Sequence, residues 1–174
     1  MTSFTQRMLR AARLDAALYE EVEADTAATR QAMWVVVLSS VAAGIGTITH
    51  SGLTGMVFGT VFALIGWYLW ALLTYWIGTR ILPEPQTQAD VGELLRTIGF
   101  SSAPGLLRGL GIVPGAGRPI FIAAQIWMLI AMVVAVRQAL DYSGTARALA
   151  VCVIGWLVQA LILVGALVAL GGPD

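Results

Sequence analysis

The run from Gln31 to Thr79, "QAMWVVVLSSVAAGIGTITHSGLTGMVFGTVFALIGWYLWALLTYWIGT", contains no charged residue. Roughly 20 helical residues cross the hydrocarbon of a bilayer, so the run is too long for one crossing. "THSGLTG", Thr49 to Gly55, divides it by turn chemistry. Two membrane helices are therefore predicted, about 31–49 and 55–79. The second carries Trp67, Tyr68, Trp70, Tyr75 and Trp76. Tyr75 and Trp76 beside Arg80 fit an interfacial aromatic belt, whereas Trp67 lies deeper and fits packing inside a bundle.

Composition agrees with that start. The chain is 58% hydrophobic and 11% charged, with a mean hydropathy of +0.81, where soluble domains carry about 25% charge. A chain of 174 residues cannot bury that much apolar surface in one soluble core, so the surplus faces lipid. The zero net charge decides nothing. All ten basic residues are arginines. The single cysteine, Cys152, sits in an apolar run and reads as a small core residue. No cysteine pair or Cys/His cluster suggests a structural zinc.

Downstream of Thr79, "RILPEPQTQADVGELLR", Arg80 to Arg96, is the only long polar connection, and Pro83 and Pro85 stop the preceding helix. "GFSSAPGLLRGLGIVPGAG", Gly99 to Gly117, follows. It is apolar enough for a membrane, yet Pro104, Pro114 and Arg108 do not suit a plain membrane helix. A short third span over about 97–113 is predicted. "GAGRP" turns the chain, Pro119 suits the first turn of a helix, and the fourth and fifth spans follow at about 119–140 and 146–170. Upstream, residues 3 to 23 are rich in helix formers, with Arg7, Arg10 and Arg13 first and Glu20, Glu21 and Glu23 later. That order opposes the helix dipole. Arginines near Phe4, Met8 and Leu9 suit an amphipathic helix on anionic lipid, and a solvated cytoplasmic helix fits the same residues. No secretory signal is expected, since the first long apolar run starts only near Ala32.

The fold class expected is all-α: a polytopic five-helix transmembrane bundle over 31–172, preceded by an N-terminal amphipathic interfacial helix within 1–30. With five spans, Arg7, Arg10, Arg13, Arg30, Arg80, Arg96, Arg137 and Arg147 fall on one side and only Arg118 on the other. The positive-inside rule then places the N-terminus in the cytoplasm and the C-terminus across the membrane, in a bacterial cytoplasmic membrane.

Polar residues within the spans are few: Arg108, Gln125, Gln159, several Ser and Thr, and Cys152. No carboxylate falls clearly inside the bilayer, which argues against a proton relay. Three roles stay open for Arg108: snorkelling to the outer interface, hydrogen bonding to backbone freed near Pro104, or contact with a ligand. His50, the only histidine, lies at the outer end of the first span and reads as an interfacial polar residue. Gly55 with Gly59, Gly105 with Gly109, and Gly111 with Gly115 recur at the four-residue spacing that lets membrane helices approach. Internal packing and homo-oligomerisation both fit. No catalytic set, metal site or cofactor motif is present, and dispersed arginines give no support to nucleic-acid binding.

From Leu94 onward the chain resembles the Yip family of membrane proteins, in its prokaryotic branch. The resemblance rests on Gly99, Phe100 and Pro104 entering the third span, the Pro114–Gly115 turn, Trp127 with "AVRQAL" (135–140), and "SGTARAL", Ser143 to Leu149. "EADTAATRQA", Glu23 to Ala32, adds to it. The resemblance implies a five-span bundle with a cytoplasmic N-terminus. Eukaryotic relatives act in vesicle traffic and bind Rab-type GTPases; the acidic-aromatic tail motif of those relatives is absent here, so that role is not carried over.

The function expected is a non-enzymatic scaffold, membrane organiser or accessory subunit, in contact with lipid and with membrane-protein partners. A small channel or transporter with a path near Arg108 is the alternative. A subunit of a redox or pigment complex is a weaker one.

Overall fold

The computed structural model describes residues 3–113 and 115–169, and of residues 49–51, 163 and 166–169 the backbone alone. The described chain is all-α. Its elements are α1 (Phe4–Ala12), α2 (Ala16–Ala24), α3 (Ala28–Gly46), α4 (Ile48–Trp76), α5 (Val91–Ser101), a 3₁₀ helix (Ala103–Ile112), α6 (Gly117–Ala139) and α7 (Thr145–Ala169). α4 runs on into a π-helical turn, Ile77–Ile81.

Four stretches are long and apolar enough to cross a membrane: Ala28–Gly46, Gly52–Ile81, Gly117–Ala139 and Thr145–Ile162. They match the expected first, second, fourth and fifth spans, with ends shifted by a few residues. The end of the expected fifth span at Leu170 lies outside the described residues. α3 starts three residues before Gln31, so Arg30 sits in its first turn. The break between the first two spans falls at Thr47 and Gly52. Gly52 has φ 61° and ψ −175°, a conformation essentially confined to glycine. Nothing lies within 4 Å of where its Cβ would be. Gly52→Ala is therefore expected to cost about 1–3 kcal/mol through backbone strain alone, measurable as a lower unfolding midpoint in mixed micelles.

The third segment differs most from expectation. It is an 11-residue α-helix followed by a 10-residue 3₁₀ helix, not one α-helix over 97–113. α5 begins at Asp90, whose side chain and that of Glu93 form a reciprocal capping box. Pro104 explains where α5 stops. It has no N–H to offer the Phe100 carbonyl, and its ring opposes continued α geometry. Gly105 N–H instead bonds to Ser102 O at 3.0 Å, an i→i+3 contact. The segment runs parallel to α3 and close against it. Gly99 lies on Ala32, Gly105 on Ser39, Gly109 on Ala42, and the Arg108 carbonyl on Gly46. It thus extends beside α3 from near that helix's first turn to its last.

Glycine packing is correspondingly different from the four-residue pattern. Three residues per turn put Gly105, Arg108 and Gly111 on one face. Gly105 meets Ser39 and Met128, and Gly111 meets the Phe121 ring. Gly109 touches Ala42 at ordinary contact distance. Gly59 faces open space, and Gly115, with φ 80°, serves a turn instead of a helix contact. Gly55 is half-buried. Pro114 lies outside the described residues.

The N-terminus holds two helices where one was expected. Ser3 and Gln6 cap α1, Leu14 at φ 62° ends it, and Asp15 caps α2. The arginines of α1 meet the acids of α2. Arg7 pairs with Glu21 at 3.0 Å and Asp25 at 2.9 Å, and Arg10 with Asp15 at 2.7 Å and Glu21 at 2.5 Å. An antiparallel hairpin therefore explains why basic residues precede acidic ones, and Arg7 and Arg10 are spent on α2 instead of lipid. Leu18, Tyr19 and Val22 pack under it against Phe100, Ala103 and Ala135, and the Trp127 indole donates to Ala12 O at 2.7 Å.

A second clasp closes the same end. Tyr142 O–H donates to Leu82 O at 2.8 Å, Arg147 to Pro83 O at 2.7 Å, and Thr87 to Leu140 O at 3.0 Å. Burial pushes the Tyr142 hydroxyl up to about 12, so it stays a donor at neutral pH.

Candidate functional site: an intramembrane cavity around Arg108

Three of the polar residues singled out in the sequence come together. Arg108, Gln125 and Gln159 line one cavity of about 430 Å³. α3 contributes Ser39 and Ser40, the junction of α5 and the 3₁₀ helix contributes Ser101 and Ser102, and α4 contributes Trp67 and Trp70. Met128, Met132 and Trp156 complete much of the apolar wall.

Arg108 does not snorkel. Its backbone carbonyl lies against Gly46 at the end of α3, but its guanidinium turns back to Ser39. Seven residues of α3 separate these two points, or about 10 Å. Nη2 donates to Ser39 O at 3.1 Å and to Ser39 Oγ at 2.8 Å, and Nε to Gly105 O at 3.1 Å. The carbonyls used are therefore those of Gly105 and Ser39, not the one freed beneath Pro104. All three acceptors are neutral. Among the described residues no Asp or Glu forms an ion pair with Arg108, and none accepts from Nη1.

Gln125, Gln159 and Trp156 line the cavity and are themselves exposed. Trp70 is 8% exposed, and its indole nitrogen is buried without a hydrogen-bond partner among the described residues. Trp67 instead donates to Leu95 O at 2.9 Å. The sequence offered no signal for Trp70 as an orphan donor or for Ser39 as the partner of Arg108, since both depend on contacts between distant helices.

The other singled-out residues lie elsewhere. The side chain of His50 is outside the described residues; its backbone belongs to the start of α4, at the opposite end from the hairpin. Among the described residues no group of three or more His, Cys, Asp or Glu could hold a metal ion. Cys152 packs with Trp70, Ala71 and Val151 in the core.

A second polar centre joins the N-terminal hairpin to α5. Arg96 is 5% exposed. Its Nε donates to Val22 O at 3.0 Å and Glu23 O at 2.9 Å, and Nη2 also reaches Glu23 O. The carboxyl of Glu23 is pushed up to about 8, first by burial and then by Glu20, Glu93 and Asp141, with Arg96 opposing. Its Oε2 is buried without a hydrogen-bond partner among the described residues. A carboxyl raised in the folded state loses stability as it is forced to ionise. Stability should fall as pH rises from about 4.5 to about 8 and level off above. Glu23→Gln should remove that slope and stabilise the protein at pH 8 by about 1–2 kcal/mol, allowing for solvent screening at this half-buried site. Unfolding midpoints of both proteins across that range measure it.

A family model described as the Yip1 domain matches residues 16–167. The match takes in α2, the clasp, the cavity and most of α7. No curated protein matches the chain, and no solved structure does.

Proposed function

The chain belongs to the Yip1 family, whose members are membrane-trafficking or membrane-organising proteins and generally non-enzymatic, and from that premise we propose that it is a scaffold or accessory subunit of a larger membrane assembly. It is an integral membrane protein in contact with lipid. The observation that carries the proposal is the distribution of burial among its spans. In the most apolar stretch of α3 39% of the residues are buried, against 11% in that of the α4 span. Phe62 is 69% exposed, and Leu161 on the outer half of α7 is 72% exposed. Small-residue packing is concentrated around α3, which leaves α4 and the part of α7 that holds Leu157, Leu161 and Ile162 as broad apolar faces at the periphery. Such faces suit contacts with neighbouring chains as well as lipid. Photo-crosslinking groups at residues 62 and 161 in native membranes test this. Discrete protein adducts are expected at one or both; lipid adducts alone would remove the scaffold reading.

The proposed topology has five crossings in a bacterial cytoplasmic membrane, with the N-terminus in the cytoplasm. Support comes from the course of the third segment beside α3 and from the arginine distribution. The α5–3₁₀ pair is about 36 Å long if collinear, against about 30 Å of hydrocarbon. Single cysteines at Ala116 and Ser143, in a Cys152→Ala background, decide it with an impermeant thiol reagent. Residue 116 should label from outside and residue 143 only after permeabilisation. The inverted pattern, residue 143 labelled from outside and residue 116 protected, is what a cytoplasmic N-terminus with only four crossings gives and would exclude the third crossing.

A further inference from the structure

An uncompensated guanidinium within a bilayer is costly, and such groups are usually paired. Arg108 has three neutral acceptors and an Nη1 with no acceptor among the described residues. Its partner Ser39 lies eleven residues into α3, about 16 Å from the start of that helix and so near the middle of about 30 Å of hydrocarbon. No Asp or Glu lines the cavity. The chain has none to bring there, since all ten acidic residues fall within 15–25 and 84–93 and at 141 and 174. A second copy of the chain has the same lack. The side-chain amides of Gln125 and Gln159 line the same space and have no hydrogen-bond partner among the described residues. Past Gly155, which lies against Trp70, no described residue of α7 is buried. That part of α7 therefore has no face fully covered by the bundle. An apolar groove between α4 and α7, lined by Leu69, Leu73, Trp76 and Ile162, continues from the cavity, and Gly66, Trp70 and Gln159 border both. From Gly66 to Trp76 the track follows ten residues of α4, about 15 Å.

We propose that the α4–α7 side docks a transmembrane helix of a different protein, and that an Asp or Glu near the middle of that helix pairs with Arg108. The proposal rests on the scaffold reading and names the chemistry of the partner: one acidic residue in an otherwise apolar span. Such a helix covers the apolar track along α4 and presents its carboxylate at the depth of the guanidinium. The carboxylate takes the N–H groups that Nη1 leaves free, and the amides of Gln125 and Gln159 can donate to its oxygens. A lone carboxylate in hydrocarbon is costly too, so pairing relieves both charges at once. That gives selectivity, because an apolar helix without the acid leaves Arg108 unmatched. A small free anion would match the charge and leave the track uncovered.

The test places p-benzoylphenylalanine at Trp156, an exposed aromatic that lines the cavity, in native membranes, and maps the crosslinked peptide by mass spectrometry. One discrete adduct is expected, in a transmembrane segment of another protein with an Asp or Glu within about two turns of the crosslink. Replacing that acid by its amide should lower the adduct yield at least about fivefold, since removing one member of a buried pair strands the other. Arg108→Gln should do the same. The substitution in the partner leaves this chain intact, so it carries the test if Arg108→Gln fails to fold. A crosslinked segment without an acid, an adduct to this chain's own peptides, lipid adducts alone, no adduct, or a yield unchanged by loss of either charge overturns the proposal. Protein adducts at residue 62 or 161 alongside any of these results leave the scaffold reading standing. Lipid adducts alone at all three positions remove both.

Discussion

Gly46→Ala is expected to destabilise the protein by about 3 kcal/mol, among the largest effects of any single methyl group in this fold. At Gly46 the added Cβ would overlap the backbone oxygen of Arg108 and come within 2.9 Å of the Phe121 ring. A carbonyl in a helix cannot swing aside as the end of a methionine can. Relief would require α3 and the 3₁₀ helix to separate, which would also loosen the contacts of Gly105 and Gly109. Gly59→Ala is the control. Nothing lies within 4 Å of that Cβ, and alanine is favoured over glycine inside a helix, so a change between zero and about 1 kcal/mol in the stabilising direction is expected. Reversible unfolding of both variants in mixed detergent micelles measures the difference. Equal midpoints would mean that α3 and the third segment do not pack as closely as described.

Arg96→Ala should cost about 3 kcal/mol and release the N-terminal hairpin. The guanidinium is buried and forks over the last carbonyls of α2, those of Val22 and Glu23. Charged hydrogen bonds to buried acceptors contribute more than neutral ones, and removing the donor strands the carbonyls. Lysine should not rescue, because one ammonium lacks the planar fork that spans two successive carbonyls. Hydrogen exchange gives a readout that a general loss of stability would not. Amides of α1 and α2 should exchange faster while those of α4 and α6 keep their protection. Uniform acceleration across all helices would count against a local anchoring role.

Much of the architecture was legible along the chain. Four apolar runs became four long helices, with ends displaced by a few residues at Ala28, Gly52, Gly117 and Thr145. The run of prolines and glycines marked the third segment as irregular. Its internal period was not legible. Glycines at four-residue spacing suggest an α-helical face, but Pro104 imposes a 3₁₀ course, in which Gly105, Arg108 and Gly111 align instead. The reversed charge order of residues 7 to 23 signalled a constraint without identifying it. Its cause is a turn at Leu14 that folds the arginines of α1 onto the acids of α2. Arg108, Gln125 and Gln159 stood out as polar residues in apolar runs, while Ser39 and Trp70 looked ordinary.

The sequence by itself determined that the chain is helical, that it enters the membrane, and where most helices begin and end. Exclusion of charge from hydrocarbon and the breaking power of proline and glycine act locally, so each can be read residue by residue. Only the tertiary structure decided that Arg108 turns inward to Ser39, that Arg96 holds the hairpin by its backbone, and that the Trp70 N–H is buried without a partner among the described residues. These depend on which helix faces come together. That is set by packing among residues far apart in the chain, where a single missing Cβ at Gly46, Gly99 or Gly105 fixes how near two helices can lie.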